Sequence, residues 1–193
     1  MSPIEDDDAL IAAALNGSAF AWEKLVKRFE GRVYNLGLRL TGNPTDAMDL
    51  MQEVFIGVYR NLHRFRGDAK FSSWLFRIAH NKAVDMNRRK RLLMSKSKSA
   101  TLEEGDVFET IPGVPRDEPE NRLGEVQLNR QILGMLTRLP MDQRLVVELK
   151  VFQSLTFDEI AVMQEISENT AKTRFYTALK KLKDIAEEHH VLS

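Results

Sequence analysis

The chain has 193 residues and carries 28 Lys and Arg side chains against 28 Asp and Glu, so its formal net charge at pH 7 is zero. Hydrophobic residues make up 43% and charged residues 29%, which is typical of a globular protein with one large or two small domains. Cysteine is absent from the sequence, which excludes disulfides, zinc–thiolate sites and thiol nucleophiles. The acidic start MSPIEDDD and the short apolar run over 9–15 predict neither a signal peptide nor a membrane span.

The chain is predicted to be all-α, because glycine and proline are few and strand-type alternation is hard to find. A short helix is expected from about Asp7 to Leu15, and Ser18 is placed to cap a longer helix that Gly42 closes. Asn43 and Pro44 then suit the start of a third helix. Its predicted buried residues are Ala47, Met51, Val54 and Val58.

A second face of this third helix combines charged and polar side chains with one apolar residue. Its members are Asp46, Asp49, Gln52, Glu53, Ile56 and Arg60. A solvated acidic face is one interpretation, since charged residues commonly cover the outer side of a helix. A protein-binding patch is the other, and Ile56 favours it because an apolar residue surrounded by charge is typical of such patches.

The stretch from Phe65 to Arg91, FRGDAKFSSWLFRIAHNKAVDMNRRKR, predicts a loop followed by a helix that Ser72 caps. At about 100° per residue, one side of this helix is apolar and is assigned to the core, with Leu75, Ile78, Ala79 and Met86. The opposite side carries Trp74, Arg77, Asn81 and Arg88 and continues into Arg89, Lys90 and Arg91. Residues 60–91 contain ten basic side chains against two acidic ones.

Aromatic rings beside a run of cations suit single-stranded nucleic acid, because bases stack on the rings while Lys and Arg hold the phosphates. The alternative is a core helix whose arginines extend to solvent along the protein surface.

Residues 95–121 predict a flexible acidic linker, because Ser, Gly, Pro and acidic residues occur there without a usable helical period. Pro119 is expected in the first turn of the helix that follows, and Leu139 and Pro140 are expected to end it. The next helix contains the apolar residues Leu145, Val146, Leu149 and Val151.

Two short sequence signals near the C-terminus predict a pair of capped helices. Thr156 and Glu159 have the spacing of a capping box and open a short helix through about Gln164, and Ser167 caps the last helix. The apolar residues of the last helix are Ala171, Phe175, Ala178, Leu179, Leu182 and Ile185. Its opposite face is free of acids and carries Asn169, Lys172, Thr173, Tyr176, Thr177, Lys180 and Lys183. This order predicts a helix-turn-helix whose second helix enters the major groove, although a helical hairpin without DNA binding can be capped in the same way.

Both halves of the chain resemble one known family. The run DAMDLMQEVFIGVYRNLHRF, followed by FRGDAKFSSWLFRIAHNKAVDMNRRKR, resembles region 2 of the bacterial sigma-70 family, and more narrowly of its small extracytoplasmic-function (ECF) group. The motifs LP, Arg144, LTFDEIA and NTAKTR are similar to region 4 of the same family. The resemblance implies two small all-α domains, region 2 over 1–94 and region 4 over 122–193, joined by a linker over 95–121.

The resemblance also implies three binding surfaces. The helix bearing Asp46, Asp49, Gln52, Glu53 and Ile56 would dock on the clamp helices of the largest RNA polymerase subunit. Capture and melting of the promoter −10 element would involve Phe65, Arg66, Asp68, Lys70, Phe71, Trp74, Arg77, Asn81, Arg88 and Arg89. Recognition of the double-stranded −35 element would involve Asn169, Lys172, Thr173, Tyr176, Thr177 and Lys180, with the flap of the second subunit as a further partner.

By the same resemblance, the chain would be a transcription initiation factor and not an enzyme, with no cofactor and no metal. His63 and His80 have no companions at ligand spacing, and the adjacent His189 and His190 would point to different sides of a helix, which agrees with that expectation. As a member of a stress-response group, it would be controlled by an anti-sigma factor, in the cytoplasm or held at the inner membrane through that factor.

Two residues depart from the family pattern, and two other interpretations stay open. Glu165 stands where the turn usually has Gly, and Thr177 stands where close relatives often place Arg. One alternative is a helix-turn-helix transcriptional regulator with an N-terminal sensing domain, which leaves Trp74 and the basic residues beside it without a purpose. The other is an all-helical interaction scaffold, which leaves the acid-free face of the last helix unexplained.

Overall fold

The structure is a computed structural model that describes residues 7–96 and 122–191. In these ranges all regular secondary structure is helical, which confirms the predicted all-α class. The helices are α1 Asp7–Leu15, α2 Ala19–Thr41, α3 Pro44–Asn61, α4 Phe71–Lys96, α5 Arg122–Thr137, α6 Met141–Val147, α7 Phe157–Gln164 and α8 Glu168–Val191. A 3-10 turn covers Leu62–Arg64, and a π-helical segment covers Glu148–Phe152. Of the described residues, 7–37 and 45–96 form one compact unit, and 38–44 with 122–191 form a second.

Local signals for the ends of the first helices are confirmed. The Ser18 hydroxyl accepts a hydrogen bond from the Ala21 N–H at 3.2 Å, as expected of an N-cap. Gly42 adopts a φ of +70° directly after α2, a left-handed backbone that glycine provides without steric cost. Pro44 is the first residue of α3, where its missing N–H removes no intrahelical hydrogen bond.

The predicted cap of α4 is wrong by two positions. Helix α4 begins at Phe71, and the Trp74 N–H donates to the Lys70 carbonyl at 3.2 Å, so Ser72 lies inside the first turn. The other end of α4 extends to Lys96, two residues into the segment that the sequence assigned to the linker. The rest of that segment, 97–121, lies outside the described residues, and Pro119 lies there as well.

The core of the first unit lies between α2, α3 and α4. Each of these helices contributes fully buried side chains, among them Leu25, Val33, Val54, Val58, Leu75 and Phe76. Two glycines allow close approach of the helices. A Cβ on Gly37 would lie 2.9 Å from the Cα of Ala47, and one on Gly57 would lie 3.1 Å from Cγ2 of Ile78. Helix α3 is therefore held tightly against both of its neighbours.

The second unit is built around α8. Its buried cluster consists of Leu136, Leu139, Val147 and Ala178, with Ile132, Phe175 and Leu182 packed against it. Two residues expected to be apolar packing residues are substantially exposed instead, namely Val151 and Leu179.

The π-helical segment was not predicted from the sequence. It is closed by a hydrogen bond from the Gln153 N–H to the Glu148 carbonyl at 3.2 Å, five residues apart. The Glu148 side chain is 1% exposed and accepts a hydrogen bond from Gln153 Nε2 at 2.8 Å. A buried carboxylate needs such donors, because its desolvation is otherwise costly.

Candidate functional site

An aromatic cluster marks the junction between the loop at 65–70 and α4. The ring of Trp74 lies 5.4 Å from that of Phe65 and 5.7 Å from that of Phe71, centroid to centroid. Phe71 also contacts the ring of Phe29 at 5.4 Å and is only 4% exposed. Phe65 and Trp74 are half-buried, so each keeps part of its ring open to solvent. Phe71 thus anchors the loop to the core, whereas Phe65 and Trp74 can still meet a ligand.

The loop between these rings is polar and open. Arg66, Asp68 and Lys70 are exposed, and Gly67 between them adopts a φ of +77°. A residue with a Cβ rarely adopts this backbone conformation, so Gly67 determines the direction in which the loop turns. The loop therefore places two cations and one carboxylate next to the aromatic cluster.

The outer face of α4 carries the expected polar residues. Arg77, Asn81, Arg88 and Arg89 are all exposed, and Arg88 pairs with Asp85 at 3.1 Å. Behind this face, His80 is buried and its Nδ1 lies 3.2 Å from Oδ1 of Asn81. Burial lowers the pKa of His80 below its ordinary value, because the charged ring would lose its hydration. No ligand spacing in the sequence pointed to His80, and its burial is a packing result.

The polar face of α3 is arranged as the sequence indicated. Asp49, Gln52 and Glu53 are exposed, and Ile56 is 44% exposed among them. Asp46 is half-buried at the start of the helix. Five residues on three successive turns therefore form one surface with acidic and apolar parts.

Two lysines of α4 contact this surface. Lys82 Nζ lies 2.8 Å from Oε2 of Glu53, and Lys90 forms an ion pair with Asp46. The hydrogen bond and the charge of Lys82 hold the pKa of the Glu53 carboxyl below its ordinary value. The sequence placed Lys90 in the run of cations that follows the polar face of α4, and it gave Lys82 no role.

Sequence reasoning missed an aromatic group beside the α3 face. The ring of Trp22 lies 5.1 Å from that of Tyr59 and 6.4 Å from that of Phe55. Tyr59 is 66% exposed although it belongs to this group. The spacing of Phe55, Ile56 and Tyr59, three and four residues apart, was the available signal.

The helix-turn-helix signals in the second unit are confirmed. The Glu159 N–H donates to the Thr156 hydroxyl at 3.2 Å, and the Thr156 N–H donates to the Glu159 carboxylate at 2.7 Å. The Ser167 hydroxyl accepts from the Thr170 N–H at 3.1 Å and caps α8. Glu165, between the two helices, adopts a φ of +55°. The turn thus keeps the left-handed backbone for which glycine is preferred, and Glu165 bears the strain.

The outer face of α8 is polar and mostly exposed. Asn169, Thr173, Tyr176, Thr177 and Lys180 are exposed, and Lys172 is half-buried. The ring of Tyr176 lies 5.6 Å from that of Phe175 and 6.4 Å from that of Phe157, which fixes its position on the helix. The exposed part of this face offers hydroxyl, amide and ammonium groups, the types that contact base edges and phosphates.

Arg144 has a structural role in the second unit, at the junction between α5 and α6. Its guanidinium donates to the carbonyls of Thr137 and Leu139, at 2.5 Å and 2.8 Å. Burial lowers the pKa of Arg144. The residue therefore ties the turn between α5 and α6 to α6 itself.

Two features are absent from the described residues, 7–96 and 122–191. No group of three or more His, Asp or Glu side chains there is arranged to hold a metal ion. Among the same residues, no helix has the length and apolar character needed to cross a membrane.

Comparison with protein families gives two matches. Residues 25–92 match the model for sigma-70 region 2, and residues 129–182 match the model for sigma-70 region 4. The first match contains α3, the aromatic cluster and α4 up to residue 92, and the second contains α7, the turn and α8 up to residue 182. The two matches together cover more than half of the chain.

Individual relatives agree with the family matches. The ECF RNA polymerase sigma-E factor of Escherichia coli K12 is 31% identical over 92% of this chain and 93% of its own length. The RNA polymerase sigma-H factor of Pseudomonas aeruginosa is 28% identical over 90% of each chain. Among solved structures, CnrH in complex with the cytosolic domain of CnrY has a TM-score of 0.64 and 25% identity, and the match covers 95% of this chain and 99% of that one. The sigma factor RpoE of Bartonella quintana has a TM-score of 0.69 at 17% identity, covering 86% and 96%, which shows the shared fold.

The chain belongs to the sigma-70 family, in its extracytoplasmic-function group. It is a transcription initiation factor of the kind that directs RNA polymerase to promoters. The alternative of a regulator with an N-terminal sensing domain is set aside, because the N-terminal half matches sigma region 2. Members of the family are transcription factors rather than enzymes.

Proposed function

We propose that the chain binds core RNA polymerase through the exposed face of α3. The proposed contacts are Asp46, Asp49, Gln52, Glu53 and Ile56. Exposed carboxylates around an accessible apolar residue favour a partner helix with basic and apolar side chains, since charge complementarity guides docking and apolar contact adds affinity. The clamp helices of the largest polymerase subunit are the partner that family membership implies.

We further propose that the loop at 65–70 and α4 capture the −10 element as a single strand. The observation that carries this proposal is the Phe65–Trp74 pair, which is half-buried, anchored by buried Phe71 and flanked by exposed cations. Rings in this state can stack with bases without being free to collapse into the core. The remaining proposed contacts are Arg66, Asp68, Lys70, Arg77, Asn81, Arg88 and Arg89. We assign Phe71 to anchoring the loop, because its burial leaves almost none of its ring accessible.

For the second domain, we propose that α8 enters the major groove of the −35 element. Asn169, Lys172, Thr173, Tyr176 and Thr177 would lie nearest the bases. Lys180 would contact phosphate, because it is exposed one turn further along the helix. The polymerase flap is the proposed protein partner of this domain. The proposed domain boundaries are 1–94 and 122–193, and both family matches lie inside them.

Control by an anti-sigma factor is part of the same proposal. Its support is the similarity to CnrH, whose solved structure is a complex with the cytosolic domain of CnrY. The proposed location is the bacterial cytoplasm, or the inner membrane when such a partner holds the chain there. The chain itself would act by binding alone, with no cofactor or metal, and RNA synthesis would belong to the polymerase.

Run-off transcription with purified bacterial core polymerase on fragmented DNA from the source genome tests this function. Discrete transcripts that depend on the added chain are expected, and their start sites would identify the two promoter elements. A matched pair of variants tests the polymerase surface. Asp49→Ala should weaken binding to core polymerase, whereas Glu23→Ala removes another exposed carboxylate, from α2, and should not. Absence of transcripts despite duplex binding would contradict the proposed initiation function.

A further inference from the structure

The only arginine of α8, Glu168–Val191, is used inside the helix-turn-helix domain. The Arg174 Nε lies 3.3 Å from Oδ2 of Asp142 in α6, and its Nη1 donates to Oε1 of Gln164 in α7 at 3.3 Å. Arg174 follows Asn169 by five residues, so it lies about 140° around the helix from the face that carries Asn169. The Arg174 guanidinium therefore holds α8 against α6 and α7 and is turned away from the face proposed to meet DNA.

That face offers one amide and two threonine side chains for contact with bases. Asn169, Thr173 and Thr177 are exposed, and each is four residues from the next, so they lie along one side of α8. The Thr173 hydroxyl donates to the Asn169 carbonyl at 2.8 Å, which uses its proton inside the helix. Thr173 can therefore offer a base its methyl group and its oxygen lone pairs. We call Asn169, Thr173 and Thr177 the base-reading row.

The bases differ in the side chains that recognise them in the major groove. Guanine presents O6 and N7 to Arg or Lys, adenine presents N6 and N7 to an Asn amide, and thymine presents a methyl group to the methyl of Thr. The base-reading row thus has groups that fit adenine and thymine, and it has no cation for guanine. Between 168 and 177, Lys172 is the only cation apart from Arg174, and it lies at the side of the row.

We propose that the chain selects a −35 element made chiefly of A·T pairs, in which Asn169 binds an adenine and the methyl groups of Thr173 and Thr177 contact thymines. Guanine is recognised at one position at most, through Lys172. The proposal rests on the proposed function, because it takes α8 to enter the major groove at −35, and it adds which bases are read. An arginine at position 177 would bring the planar guanidinium that binds guanine, whereas threonine brings a methyl group.

Selection from a randomised duplex tests the proposal with the assembled complex of chain and core polymerase. A promoter found by run-off transcription is synthesised with its −35 element randomised, and the bound duplexes are sequenced. Asn169→Ala and Thr177→Ala identify the positions that the row reads, because those positions lose their preference. The unchanged chain should select A·T pairs there, and G·C pairs at these positions should bind about 5-fold to 150-fold more weakly.

Uracil tests the methyl contacts directly, because it lacks the C5-methyl group that thymine presents in the major groove. Each thymine of the selected element is replaced by uracil in turn, which requires no protein variant. Two of these replacements should lower the affinity of the unchanged chain about fourfold each, the effect of one buried methyl group. Thr177→Ser keeps the hydroxyl and removes the methyl, so one of the two replacements should have no effect on that variant.

An added arginine tests the same position by gain of function. Thr177→Arg should change the selected pair at one position from A·T to G·C, because the guanidinium binds O6 and N7 of guanine. Val162→Arg is the matched control, since it adds the same charge at an exposed position of α7. This control should leave the selected bases unchanged.

The outcomes separate this inference from the proposed function. Absence of any sequence preference at −35 would refute the role of α8 and the inference with it. Selection of G·C pairs by the unchanged chain at two or more positions that respond to the row would overturn the inference alone. Uracil replacements with equal effects on the unchanged chain and on Thr177→Ser would also overturn it, because the Thr177 methyl would then contact no thymine.

Discussion

Replacement of Trp74 by alanine tests most directly whether the aromatic cluster serves promoter opening. The ring lies 5.4 Å from Phe65 and 5.7 Å from Phe71, and it is half-buried, so one part packs and another part is open to a base. Stacking of a base on such a ring is worth about 1–3 kcal/mol, which corresponds to about 5-fold to 150-fold in an equilibrium constant. Formation of the open complex should fall by a factor in this range.

Two assays on the same promoter separate opening from binding. Permanganate reactivity of unpaired thymines reports the melted −10 region, and filter binding at low temperature reports association with closed duplex. Trp74→Ala should reduce the first by the factor above and change the second by less than about twofold, because phosphates and base edges of the duplex do not require the ring. Trp74→Phe keeps a ring at this position and should retain most of the opening activity.

The packed part of the Trp74 ring also contributes to the stability of the domain. Aromatic pairs contribute about 0.5–1.5 kcal/mol each, so loss of the contacts with Phe65 and Phe71 also lowers the free energy of unfolding. Both assays therefore belong at a temperature well below the unfolding midpoint of the variant. Equal losses in the opening and binding assays would refute the melting role and leave Trp74 as a structural residue.

Three further predictions concern the second domain and the core of the first. Lys180→Ala should weaken binding to all duplex sequences alike and flatten the salt slope by about 0.9, because Lys180 is assigned to a phosphate. Glu165→Gly should raise the free energy of unfolding by about 0.5–1 kcal/mol, since relief of the left-handed strain at φ +55° exceeds the added backbone entropy. For His80, burial lowers the pKa below its ordinary value of 6.5, so the folded chain binds this proton less readily than the unfolded chain. The resulting stabilisation is fully present above pH 6.5 and is lost as the pH falls below that value, which urea unfolding at two pH values would measure.

Each of these predictions has a matched control. A changed sequence preference in Lys180→Ala would contradict the phosphate assignment. Glu165→Ala keeps a Cβ in the left-handed region, so a gain in stability equal to that of glycine would rule out backbone strain as the cause. The exposed His63 serves as the control for His80, and a pH dependence that disappears in His63→Gln but persists in His80→Gln would contradict the assignment.

The ends of most helices could be predicted because their causes lie within a few residues. The Thr156–Glu159 capping box and the Ser167 cap each depend on groups three residues apart, and the structure has both. The left-handed turn at Glu165 is also local, and the family resemblance marked its position, because the family usually has glycine there. Ser72 was a plausible cap by the same rule, but the chain enters α4 one residue before it.

The membership of each surface could be predicted because it follows the helical period. Asp49, Gln52, Glu53 and Ile56 share the exposed face of α3, and Arg77, Asn81 and Arg88 share that of α4, as their spacing indicated. Helical periodicity alone does not predict that Phe71 is buried. Its burial depends on packing against the ring of Phe29, which lies on a different helix.

The sequence by itself determined the helical class, the caps of α2, α7 and α8, the polar faces and the family, because all of these are read from neighbouring residues or from a motif. Only the tertiary structure decided which charges meet. Lys82 reaches Glu53 across 29 positions of the chain, and Lys90 reaches Asp46 across 44. Such pairs depend on the packing of α3 against α4, which Gly57 permits through its missing Cβ. Contacts at this separation follow from how the helices fold together, and no local pattern specifies them.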